Sequence, residues 1–314
     1  MMSEVWRLTL QYDVAGAGPS TVIEKRSSRD PFRREIADRF GFYRRELSFY
    51  EEVAPLIAVR APRCFAGFLD PDSGDVTLVL DDLAALRTVA QVDGASLSDA
   101  LVAARWLASL HAPWWTRTQT LPGCVDVLDA PVLMTNMIDT FTRSWPRCRA
   151  LAGDRLPSPV VDVAERWSEL WPMIASQLSS TPTLCHGDFR LDNICFDREE
   201  IVAFDWQLMI VAHGLTDLAY FVSQSVRTEE RAGNDRTVLI EYLSNLRAAG
   251  VELAIDVAWD VYRLAVLAML CFPVALYGQF ESFPAAAQRT IEALLDRSVA
   301  TIVDLHAWEL TAAR

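Results

Sequence analysis

Lysine is almost absent from this chain of 314 residues. Lys25 is the only one, and the other 28 of its 29 basic residues are arginine. Cysteine is sparse and unpatterned: the six (64, 124, 148, 185, 195 and 271) form no C-x-x-C pair and no regular spacing. The four histidines do not cluster with them. This argues against a thiolate metal centre and a disulfide framework, and for reduced, mostly buried thiols. No basic stripe is visible and the net charge is −13, which argues against a nucleic-acid partner. That charge suits a cationic small substrate, although net charge does not locate the acid. The opening MMSEVWRLTL lacks a basic segment followed by an apolar one, so no signal peptide is expected. The most apolar run, Leu264 to Tyr277, contains Pro273 and is shorter than the ~20 residues a membrane span needs. It is expected to be a core helix. The expectation is therefore a cytoplasmic protein with no membrane partner. No internal repeat or low-complexity segment is present.

What is there is globular material, with 51% hydrophobic and 23% charged residues, enough for about two domains. Val5 to Tyr12 alternates with strand period, DVAGAGPS is a turn, and Thr21–Lys25 is a second short strand, which together predict a hairpin. A helix is expected from Pro31 to Val53, with the proline in its first turn. Val76–Leu80 reads as another strand. Beyond Asp82 the character changes. Ser96-Leu-Ser-Asp99 resembles a capping box opening a helix to about His111. Helical patterns follow near 131–150 and 158–180, then two short β-rich runs around Cys185/Ile194 and Ile201–Phe204, and helices from Asp217 on. The expected fold is α+β: a small β-rich part over residues 1–83, a hinge near 81–86, and a large, mostly helical part over 84–314.

The stretch Thr183–Phe196, TLCHGDFRLDNICF, crowds a histidine, two aspartates and an asparagine between apolar runs. A hydrogen-bonded turn would use the same residue types, since Asp and Asn bond their own backbone. Phosphoryl transfer from ATP to a hydroxyl would use them otherwise. It needs a carboxylate for the hydroxyl proton, oxygen ligands for Mg²⁺, and a cation on the phosphates held by an acid. Asp188 could be that base. Asn193, five residues on, could reach a metal, and Asp205, after the run IVAF, could be the second ligand. Carboxylate and amide oxygens suit Mg²⁺.

The lone lysine is a second, independent signal. Lys25 lies in the second strand of the expected hairpin, where a compact point charge would fix phosphates as a planar guanidinium would not. Glu46, on the helix YRRELSFYEE, would be its ion-pair partner. Each has a bland reading: an arginine-biased composition leaves stray lysines, and Glu46 has Glu35, Glu51 and Glu52 for neighbours.

Together these segments resemble the aminoglycoside phosphotransferase-like and choline kinase-like small-molecule kinases, which share the protein-kinase-like bilobal fold. The matching pieces are TVIEKRSS, YRRELSFYEEVAP, VTLVLDDL, WLASLHAPWW, CHGDFRLDN, IVAFDWQ and HGLTDLAYF. HGDFRLDN with FDWQ is most similar to the ecdysteroid-kinase-like branch and to kinase domains associated with acyl-CoA dehydrogenases. The resemblance implies Asp188 as base, Asn193 and Asp205 as Mg²⁺ ligands, and Lys25 with Glu46 as the phosphate-positioning pair. It implies that Asp81, Asp82 and Leu83 border the adenine through backbone groups. It implies that His186 and Asp217 brace the catalytic loop; His111 and Trp114–Trp115 are expected to pack the core, with the alternative that the two tryptophans line a substrate pocket. The implied cofactors are ATP and Mg²⁺, and the implied partner is a small hydroxylated molecule.

Two departures qualify this. Family members usually have a strand and a glycine-containing loop before a segment like M-S-x-x-Y-R, which here is Met2–Arg7. The expectation is an amino-terminal lobe truncated at its start, and with it an alternative function: a catalytically weak or inactive nucleotide-binding protein of the same fold. Second, only residues 206 to 216 separate Asp205 from Asp217, which leaves no room for a peptide platform. A small-molecule substrate is expected over a protein one.

Overall fold

The computed structural model describes residues 3–14, 16–123 and 125–311; Met2 of the amino-terminal segment and Cys124 lie outside them. In chain order the strands are β1 (Ser3–Thr9), β2 (Thr21–Ser27), β3 (Cys64–Leu69), β4 (Val76–Asp81), β5 (Asp126–Val127), β6 (Thr183–Cys185), β7 (Ile194–Asp197), β8 (Glu200–Ala203) and β9 (Ile210–Ala212). The helices are α1 (Pro31–Phe40), α2 (Phe42–Ser48), α3 (Leu97–His111), α4 (Pro131–Ala152), α5 (Ser158–Glu165), α6 (Trp167–Ser179), α7 (Leu215–Ser225), α8 (Thr228–Arg231), α9 (Asp235–Ala248), α10 (Ile255–Ala268), α11 (Cys271–Tyr277) and α12 (Ala285–Asp304).

Two compact units result. The first runs to Thr88 and takes the chain back at Asn193–Met209; the second holds Val89–Thr120, Asp126–Asp192 and the chain from Ile210 on. The sequence reading divided the chain once, after residue 83, and did not foresee the return of residues 193–209.

The first unit is built on an antiparallel sheet of order β1-β2-β4-β3. β4 shows why it forms: Val76, Leu78 and Leu80 are buried while Thr77, Val79 and Asp81 are half-buried, the period of a one-sided strand. β2 lies between β1 and β4, so Lys25 pairs with Val5 on one side and Leu78 on the other. The helix expected over 31–53 is broken. Asp30 caps α1 by accepting from the Arg33 amide, and Gly41 ends it at φ 68°, a left-handed conformation that glycine adopts without a Cβ penalty. α2 follows and widens into a π-helical turn over Phe49–Val53. β3 was not anticipated, because Gly67 and a register shift between Cys64 and Ala66 interrupt its pattern. β7 and β8 form a hairpin of their own, tied to residues 60 and 87 by isolated bridges.

The second unit is helical around a small sheet of order β5-β9-β6, in which β6 is buried and the edge strand β5 is exposed. The Ser96/Asp99 capping box opens α3. The helical run expected over 158–180 divides at Arg166 into α5 and α6. Ile255–Tyr277, long and apolar enough by composition to cross a membrane, is 67% buried in its most apolar window and forms α10 and α11. Every residue of α7 is buried, its polar ones included.

Candidate active site

The first unit supplies one constellation. Lys25 Nζ stands 2.6 Å from Glu46 of α2 and 2.8 Å from Asp205 Oδ1. The three side chains are 12%, 3% and 20% exposed. Burial opposes the Lys25 charge, but the attraction of Glu46 and Asp205 outweighs it, and the ammonium titrates above its ordinary value. For Glu46, burial pushes the carboxyl up, Lys25 pulls it down and Asp205 pushes it up again, with a net upward shift. One ammonium shared by two carboxylates keeps its own proton securely, while Glu46 protonates more readily than an exposed glutamate. Asp205 has φ 65°, a left-handed backbone that is uncommon for a residue with a side chain and recurs at functional positions. The following residue holds it there. The Trp206 ring stacks on Phe49 at 4.1 Å and 7°, and its Nε1 donates to the Ala203 carbonyl. The amide of Phe204 donates to the Asn193 carbonyl at 2.9 Å, so the β7–β8 hairpin brings Asn193 and Asp205 to the same end.

The second unit supplies the other constellation. Asp217, near the start of α7, accepts from the backbone amides of His186 (2.6 Å) and Gly187 (2.9 Å). His111 Nε2 is 3.3 Å from the same carboxylate, and His111 Nδ1 is 2.9 Å from the Tyr242 hydroxyl. Gly187 has φ 81°, which lets the chain turn sharply into Asp188. The Asp188 amide donates to His186 Nδ1 at 3.3 Å. Asp188 Oδ1 accepts from the Tyr220 hydroxyl at 2.9 Å and from Arg190 Nε at 3.2 Å. His111, Cys185 and Asp217 could geometrically hold an ion. His111 and Asp217 are, however, engaged in the bonds above, and burial raises the Cys185 thiol far above its ordinary range, against the thiolate a metal needs.

The remaining expected positions are accounted for as follows. The Asp81 amide donates to the Arg63 carbonyl, and Leu83 accepts from the Leu86 amide. The Asp82 carboxylate holds Arg7 at 2.8 Å. Its carboxyl sits below the usual range, because hydrogen bonds from Thr21, Ala84 and Arg7 together outweigh the burial that would raise it. His111 is fully buried, as is His186. Trp115 lies edge-on to His213 at 5.2 Å. Two residues beside Asp188 escaped the sequence reading: Arg190 and Tyr220. The signal for Tyr220 was available, since it lies three residues after Asp217 and hence on the same face of a helix.

The chain has relatives among known proteins. Residues 1–253 match the ecdysteroid kinase-like family, and the chain belongs to that family. Acyl-CoA dehydrogenase family member 11 of Homo sapiens is 54% identical over 41 residues, 12% of this chain and 5% of that protein. The chain thus spans only a small fraction of the length of that relative. Among solved structures, a choline kinase from Cryptosporidium parvum is 11% identical with a TM-score of 0.56, covering 99% of this chain and 89% of that one. A GDP complex of a mutant aminoglycoside 2'-phosphotransferase is 14% identical with a TM-score of 0.57, covering 90% and 86%. An amicoumacin kinase solved with AMP-PNP, Ca²⁺ and Ami is 16% identical with a TM-score of 0.55, covering 96% and 85%. The chain therefore has the α+β, protein-kinase-like fold of these enzymes.

Proposed function

We propose that the chain is an ATP- and Mg²⁺-dependent phosphotransferase that moves the γ-phosphoryl group to a hydroxyl of a small molecule, with Asp188 as the base. The observation that carries this reading is the buried Lys25, held by Glu46 and Asp205 at 2.6 and 2.8 Å. A lysine so fixed is a pre-organised positive charge, which is what polyphosphate positioning requires. Membership of the ecdysteroid kinase-like family supports it, as do fold neighbours that include choline and amicoumacin kinases.

The donor set fits a hard cation. Asp205 and Asn193 offer carboxylate and amide oxygens from one end of a hairpin, and these would hold Mg²⁺. When bound, the ion neutralises phosphate charge. Lys25 holds the nucleotide phosphates, and Glu46 holds Lys25. Asp217 fixes the backbone leading into Asp188. The acceptor oxygen forms its bond to the γ-phosphorus as the bond to the β–γ bridging oxygen breaks. ADP leaves, and the acceptor's proton passes to Asp188. A reducing, cytoplasmic setting belongs to this reading.

The test is a pair of measurements. Thermal melting with ATP should show a midpoint rise that requires Mg²⁺; a ligand at 100 times its dissociation constant adds about 2.7 kcal/mol. Asp188→Asn should keep that rise and lose ADP formation by about 10²–10⁴-fold. Wild-type turnover in Asp188→Asn removes Asp188 as base. A rise without any turnover in the unaltered chain favours the inactive nucleotide-binding alternative.

A further inference from the structure

We propose that Tyr220 is a positioning residue for the base: its phenol fixes the Asp188 carboxylate in the orientation from which the acceptor's proton is taken. The proposal rests on the assignment of Asp188 as base and adds a residue that acts through it.

The two side chains meet in a buried setting. Tyr220 is 3% exposed and Asp188 is 8% exposed, and the hydroxyl donates to Oδ1 at 2.9 Å. The same oxygen accepts from Arg190 Nε at 3.2 Å, and Arg190 is tied in turn to Asp192 at 2.6 Å. The carboxylate thus receives a neutral donor from α7 and a cationic one from its own loop. Burial and the Asp188 charge together push the Tyr220 phenol well above its ordinary range. The proton stays on the phenol, and the bond keeps its donor sense.

The phenol is itself held. Its ring stacks on Phe272 of α11 at 4.4 Å and 13°. Asp217 and Tyr220 are one turn apart on the same face of α7. Asp217 grips the backbone amides of His186 and Gly187 while Tyr220 grips the Asp188 side chain. A single helix therefore sets both the path of the loop and the rotation of the carboxylate at its end. A base that must accept a proton along one direction gains from losing its other rotamers beforehand.

Tyr220→Phe tests this, because it keeps the ring and its stack and removes only the hydroxyl. Turnover is read as ADP released from MgATP, with water or a screened hydroxylated amine as acceptor. The expected result is a fall in kcat of about ten-fold, the scale of one lost hydrogen bond to a charged group, with KM for ATP little changed. A carbon-13 carboxyl titration should show the Asp188 pKa raised in the variant, since a donor to the ionised form has gone. Tyr220→Ala should also lower the melting midpoint, which Tyr220→Phe should leave nearly in place. In the Asp188→Asn background, Tyr220→Phe should cost nothing further. Wild-type kcat in Tyr220→Phe, or an unmoved Asp188 titration, overturns the proposal while leaving Asp188 as base. Turnover retained in Asp188→Asn, or absent from the unaltered chain, overturns both.

Discussion

Replacing Lys25 with methionine keeps most of the aliphatic stem and deletes the ammonium that neutralises Glu46. The Glu46 side chain is 3% exposed and pairs with Lys25 at 2.6 Å. Removing one member of a buried pair typically costs about 3–5 kcal/mol, because the other charge is stranded. Here Glu46 can escape by taking up a proton, which sets a ceiling. The unfolded chain ionises Glu46 near 4.5, so protonating it at pH 7 costs about 1.36 kcal/mol for each of about 2.5 pH units, or about 3.4 kcal/mol. At pH 5.5 the same ceiling is about 1.4 kcal/mol. Burial and Asp205 already hold the folded pKa of Glu46 above its unfolded value in the unaltered chain, and losing Lys25 raises it further. The penalty therefore grows as pH rises above the unfolded value and fades as pH falls towards it. Urea unfolding followed by tryptophan fluorescence at both pH values measures this. Lys25→Met should lose up to about 3 kcal/mol at pH 7 and no more than about 1.4 kcal/mol at pH 5.5. Adding Glu46→Gln should return most of that loss without restoring ADP formation, since the phosphate-binding charge stays absent. A Lys25→Met variant as stable as the unaltered chain at pH 7, or a gap larger at pH 5.5 than at pH 7, would refute the reasoning.

Two further outcomes follow from the second unit. Burial first, and the nearby His111 second, lower the His213 pKa to about 4, against about 6.5 in the unfolded chain. Its stabilising contribution is present above pH 6.5 and is lost as pH falls towards 4, about 3 kcal/mol in all. His213→Asn should flatten stability across that window in urea titrations, and an unchanged slope would exclude His213 as its source. Gly94 has φ +77°, and an added Cβ would lie 2.6 Å from Arg297 Nη2. Arg297 cannot easily yield, because it is buried and donates to the carbonyls of Gln91, Val92 and Gln224. Gly94→Ala should therefore cost about 2–4 kcal/mol in thermal or urea unfolding, and a cost under 0.5 kcal/mol would show that this buried cluster is soft.

The sequence was legible where chemistry and local period coincide. Lys25 and Glu46 lie on a strand and a helix whose periods are plain, and a charged residue on a buried face invites a partner. Local signals mark Ser96 with Asp99, and the polar crowd from His186 to Asn193, equally well. What stayed hidden is of two kinds. The first is backbone punctuation inside a continuing pattern: Gly41 breaks the helix between Phe40 and Phe42, although apolar residues flank it on both sides, and Gly67 disguises β3. The second is pairing between distant segments. Nothing near Phe196 announces that its backbone bonds Arg87, so the return of residues 193–209 to the first unit could not be read from either end.

α7 shows how the two kinds of information meet. Its eleven residues, LTDLAYFVSQS, are all buried, and a helix buried all round loses stability for each polar group left without a partner, as the Ser223 hydroxyl and Gln224 Oε1 are among the described residues. Asp217, Tyr220 and Gln224 follow at spacings of three and four, a single stripe. Their partners are the His186 and Gly187 amides, the Asp188 carboxylate and the Met269 carbonyl. The stripe was visible in the sequence, whereas what it grips was not, because the loop lies about thirty residues upstream. Burial turns that stripe into a constraint: each of its polar groups costs stability unless the HGD loop or α10's end meets it. The same contacts that satisfy α7 therefore also fix the loop, and the loop geometry and the helix's stability should respond together to substitutions along this face.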